Sequence, residues 1–100
     1  MKPVILSADS ERMLYSVPDV VAEHLREYCL EFCSKWLPES PDAAPYRQNG
    51  CLCYTEADFI AYLNKYLFPD EPSVLIKSIG FPDYESDLPK EYDAIPRFNF

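Results

Sequence analysis

The sequence predicts an α+β fold: two amphipathic helices packed on a small, mainly antiparallel sheet, followed by an extended C-terminal tail rich in proline, acid and aromatic residues. Three observations predict it. Apolar residues recur at helical spacing in two stretches, one after residue 18 and one after residue 55. Short apolar runs bounded by turn residues stand at 3–15, 51–54 and 73–79. Three prolines among residues 81–100 leave no periodicity there.

Composition sets the limits. A chain of 100 residues has room for one domain. Residues 1–80 are expected to form its compact part. Residues 81–100 are expected to be an extended tail that packs on the domain or on a partner, since termini fray unless tied down. At 48% hydrophobic residues the chain is too apolar to be wholly disordered. A formal charge of −8 argues against direct nucleic-acid binding, because phosphate affinity comes from Lys and Arg. No apolar run approaches the ~20 residues of a membrane span. The start, Met1 to Asp9, has only a short apolar stretch before a carboxylate, unlike a signal peptide. The expected compartment is therefore the cytoplasm, where thiols stay reduced.

Along the chain, Pro3–Ser7 and Arg12–Tyr15 read as a hairpin around polar residues 8–11. Ser16-Val17-Pro18-Asp19 reads as a helix start: Ser16 caps, Pro18 sits where no amide donor is missed, and Asp19 meets the positive end of the dipole. Val21, Leu25, Cys29, Phe32, Cys33 and Trp36 then form one helical stripe, with Glu23, Arg26, Glu27, Glu31 and Lys35 opposite. Burying six such side chains yields a gross term of about 9–18 kcal/mol, far above a surface pair such as Glu31–Lys35. Pro38 stops this helix at Leu37. Residues 38–50 are a loop that ends in the turn signal Asn49-Gly50, and Cys51–Tyr54 reads as a short strand. Thr55-Glu56-Ala57-Asp58 starts the second helix with a cap and an acidic first turn. Its expected buried face is Phe59, Ile60, Leu63, Tyr66 and Leu67, and Pro69 ends it. Ser73–Ile79 is the clearest strand, closed by Gly80. Residues 13–22 resemble residues 52–61 at an offset of 39, the same device of aromatic approach, capped turn and helix.

Few residues suggest chemistry. Cys29 and Cys33 share a helix face, and Cys51 and Cys53 share a strand face. Convergence of the two pairs would make a structural zinc site. The C-x-C half lies outside the usual zinc spacing, so small buried hydrophobes are the expected role, with no cofactor. A thiol enzyme would need His24, the one histidine, as base. On a helix His24 lies about 140° from Cys29 and about 180° from Cys33, which leaves Cys51 or Cys53 as its partner. Paired acids such as Asp70-Glu71 or Asp83 with Glu85 fall in loops, where solvent keeps both ionised. Two glycines and no G-x-x-x-x-G-K-[ST] pattern exclude a phosphate-binding loop.

The expected function is therefore a small acidic, non-catalytic protein-interaction or regulatory module. The expected partner is another protein with a basic surface, and a homodimer is compatible with the small core and surplus aromatics. The expected interaction residues are Tyr84, Glu85, Asp87, Tyr92, Asp93, Phe98 and Phe100, because aromatic rings beside carboxylates suit protein interfaces. The alternatives are the four-cysteine zinc domain and the thiol enzyme.

Overall fold

A computed structural model describes residues 1–8, 11–80 and 90–100. The fold is α+β. Strands β1 (Lys2–Ser7) and β2 (Arg12–Val17) pair antiparallel as a hairpin, in register from Lys2 with Val17 to Ser7 with Arg12. Strand β5 (Val74–Gly80) pairs antiparallel with β2, and β6 (Arg97–Asn99) pairs parallel with β1. The order is β5-β2-β1-β6, so the sheet is mixed, and the chain end supplies its fourth strand. β6 is tied in further by Phe100 N–H to the Ser7 carbonyl at 2.8 Å and Ser7 Oγ to Asn99 Oδ1 at 2.8 Å.

Residues 51–54 do not join this sheet, contrary to expectation. β3 (Arg47–Gln48) and β4 (Cys51–Leu52) form a separate two-stranded hairpin. Asn49 and Gly50 both adopt positive φ, 51° and 80°, the signature of a two-residue turn that folds a strand back on its immediate predecessor. The local turn thus takes the pairing that the main sheet would have used.

The first helix also departs from expectation. It begins at Asp19 after Pro18, whose carbonyl accepts from the Val21 and Ala22 amides, while Ser16 is a strand residue and caps nothing. α1 (Asp19–Glu23) breaks at His24, where φ −127° interrupts the helix, and α2 (Leu25–Glu31) comes next. The helix then widens into a π segment, Phe32–Trp36, before the short α3 (Leu37–Glu39). In a regular α-helix Leu37 would lie about 140° from Phe32. The wider segment, in which Leu37 N–H bonds the Phe32 carbonyl, brings Leu37 onto the buried side. Val21, Leu25, Cys29, Phe32 and Leu37 are buried, while Cys33 and Trp36 are partly exposed. Arg47 Nη1 donates to the Leu37 and Ser40 carbonyls at 2.7 and 2.8 Å, satisfying acceptors that the helix end leaves open. A 3-10 segment, Pro41–Tyr46, leads on to β3.

The second helix, α4 (Glu56–Tyr62), starts where expected. The Asp58 carboxylate accepts from Thr55 N–H at 2.8 Å, and Asp58 N–H returns a bond to the Thr55 carbonyl. It too widens, over Leu63–Leu67. Phe59, Ile60 and Leu63 are buried as expected, but Tyr62 takes the place foreseen for Tyr66 and Leu67, which are exposed. Tyr62 is held there by stacking on Phe32 and Trp36, with centroids 5.1 and 5.0 Å apart.

The helix-side core joins Val4, Leu6, Tyr15 and Val17 of the sheet to both helices. Ile5, Leu14 and Tyr92 form a smaller cluster, with Ile79 and Ile95 packed against it. The register of the second helix can be read by stability: Tyr62→Ala should cost about 3–5 kcal/mol, and Tyr66→Ala roughly 1 kcal/mol, in urea unfolding. Equal losses would contradict the burial of Tyr62 and the exposure of Tyr66.

Candidate functional site

The expected interaction residues are split by the fold. Tyr84, Glu85 and Asp87 lie outside the described residues. Tyr92, in a 3-10 turn (Lys90–Tyr92), is buried against Ile5 and Leu14. Phe98 and Phe100 are half-buried on the helix-side core, and Phe100 meets Phe32, Tyr54 and Phe59 with centroids 6.1, 5.8 and 5.6 Å apart. All three rings pack on their own chain, Phe98 and Phe100 beside the β6 pairing and Tyr92 through the turn that precedes it. Asp93 alone of the described set is exposed.

The four thiols are not gathered into one site. Cys29 is fully buried and Cys33 partly so, whereas Cys51 and Cys53 are exposed at the hairpin that stands apart from the sheet. Among the described residues, no three His, Cys, Asp or Glu side chains could share a metal ion. Burial pushes the Cys29 thiol far above its ordinary range, with Cys33 adding to the effect, so it is held protonated and unreactive. His24 is exposed, its Nδ1 3.7 Å from the Glu27 carboxylate, and it hydrogen-bonds neither Cys51 nor Cys53 among the described residues. A shallow groove lined by Lys2, Pro3, Glu23, Ile95 and Pro96 holds the Lys2–Glu23 pair at 3.1 Å and no nucleophile.

The feature that sequence reasoning missed is on β5. Val74, Leu75 and Ile76 are 54, 51 and 50% exposed. Successive strand residues face opposite sides, so apolar surface is open on both faces at once. Among the described residues β5 pairs with β2 alone and forms the sheet's edge. Ile76 stands between the Leu75–Tyr15 and Lys77–Leu14 pairs with no counterpart of its own on β2, a bulge. The start of the strand is fixed by a double clamp: Ser73 N–H donates to Asn64 Oδ1 at 2.6 Å, and Asn64 Nδ2 donates to the Ser73 carbonyl at 3.0 Å. Lys77, the strand's one charge, sits over the Tyr92 ring, 5.6 Å from its centroid. Interaction with Tyr92 first, and then the charge of Glu91, raise its pKa above the ordinary lysine value. The apolar run itself was legible; strand order, which leaves it uncovered, was not.

The chain matches no family model, no curated protein and no solved structure.

Burial sets a pH dependence. Burial raises the pKa of Tyr15, Tyr46, Tyr54 and Tyr62 first of all, with nearby groups such as Glu56 at Tyr15 and Asp58 at Tyr46 adding to it. With Cys29, these groups hold protons in the folded chain to higher pH than in the unfolded one. Stability from them is complete below about pH 8.5 and falls as pH rises through the thiol and tyrosine range. Tyrosinate absorbance at 295 nm, followed alongside far-ultraviolet circular dichroism, should show part of the ionisation coinciding with unfolding. Ionisation of all eight tyrosines with a midpoint near 10, with the fold intact, would contradict this.

Proposed function

We propose that the chain is a small acidic, non-catalytic protein-interaction module and that its working surface is β5. The observation that carries this is the run of Val74, Leu75 and Ile76, each about half exposed, on a sheet edge. Single exposed apolar residues are ordinary, but adjoining ones on an edge strand invite a partner. The net charge of −8 directs the choice toward a protein with a basic surface and away from nucleic acid. The buried, protonated Cys29 and the pairing of exposed His24 with Glu27 support a binding role over thiol catalysis. No described helix is long and apolar enough to cross a membrane. The four free thiols support a reducing compartment, which we take to be the cytoplasm.

Site-specific photocrosslinking tests this reading. A photoreactive residue at Leu75 in cells that express the chain should yield discrete protein adducts. The same residue at exposed Arg26, on α2, should not. Adducts at both positions alike, or at neither, would contradict an interaction surface on β5.

A further inference from the structure

Resting on that reading, we infer that β5 takes its partner by strand addition, and that the partner is an extended apolar segment of another protein flanked by basic residues. An edge strand presents backbone donors and acceptors that no neighbour satisfies, and an added strand supplies both the pairing and side chains for the open apolar positions. The first part of β5, from Val74 to Lys77, gives such a segment a row of exposed residues to pair beside. Edge strands are commonly guarded by a lysine, but here Lys77 is drawn over the Tyr92 ring. The guard is thus turned toward its own chain, and Val74, Leu75 and Ile76 stay open beside it.

Charge selects the occupant. Asp70 and Glu71, both exposed, precede the strand, and Glu91 lies close enough to Lys77 to act on its charge. A second copy laid edge to edge would bring two bodies of net −8 together. A segment with lysine or arginine on either side of an apolar centre meets those acids with opposite charge, which speeds and orients the encounter. Bonding along the backbone supplies affinity, and the flanking charges supply selection.

The test uses the full chain and three fluorescein-labelled nonapeptides. The first has alternating Val and Thr at its five central positions and two lysines at each end. The second carries glutamates in place of the lysines, and the third is the first with proline at its centre. Fluorescence anisotropy should show the lysine-flanked peptide binding at least tenfold tighter than either other one, with the preference over the glutamate peptide shrinking at 0.5 M salt. Bound peptide should slow amide hydrogen exchange at Val74–Lys77, and Ile76→Lys, at an exposed position, should weaken binding at least tenfold while leaving the unfolding midpoint in place. Equal affinity for lysine- and glutamate-flanked peptides overturns the charge assignment. Equal affinity for the proline peptide, or protection elsewhere, overturns strand addition. A chain that sediments as a dimer, and as a monomer once Ile76 is lysine, overturns the choice of a second protein in favour of a second copy. Photocrosslinks at position 75 that persist when the peptides fail would overturn strand addition while leaving an interaction surface on β5; failure of both removes both.

Discussion

The structure depends on the burial of Phe32. Its ring is fully enclosed and meets Trp36 on its own helix, Tyr62 and Phe59 on α4, Tyr54 ahead of α4, and Phe100 at the C-terminal end of the sequence. Aromatic side chains bury more area than any others, and pairs add about 0.5–1.5 kcal/mol beyond that area. Five partners drawn from separate stretches converge on one side chain, so the helices, the loop and the chain end hold their places through it. A domain this small has few alternatives, since a short chain buries a smaller share of its surface than a long one.

The same convergence shapes the sheet. Phe100 packs on Phe32 just past β6, whose pairing with β1 holds that stretch beside the core. β6 covers one side of the β1–β2 hairpin, and β5 covers the other. With β1 occupied, β5 is left as the edge that carries open apolar side chains, and Lys77 leans away onto Tyr92. The described aromatic residues of the tail, Tyr92, Phe98 and Phe100, therefore shape that edge indirectly. They close the core and one side of the sheet, and the uncovered surface appears at the opposite side.

Local signals in the residues survive in the structure. The spacing of Val21, Leu25, Cys29 and Phe32 names a buried stripe, Thr55 with Asp58 marks a helix start, and Asn49-Gly50 names a tight turn. The departures arise where a single-residue shift or a distant pairing decides. The widened turn at Phe32–Trp36 shifts the helix face so that Leu37 is buried and Trp36 is partly exposed, and past the widened turn at Leu63–Leu67 Tyr66 and Leu67 are exposed. No propensity encodes such a turn, and the rings of Phe32, Trp36 and Tyr62 pack together around it. The tail's prolines hid a three-residue strand whose pairing is with residues more than ninety positions away. The apolar run at 73–79 reads as a strand, and only the order of strands reveals that among the described residues it is an edge. The candidate site was therefore legible as a strand and illegible as a surface.

The claim that Phe32 and Phe100 hold one another in place is tested most directly by a double-mutant cycle. Phe32→Leu and Phe100→Leu keep apolar bulk while removing the ring pair. Unfolding free energies of the two single variants and the double variant should show a coupling of about 0.5–1.5 kcal/mol. Strict additivity, within about 0.3 kcal/mol, would mean that the chain end docks independently of the helix core, and the account built on it would be contradicted.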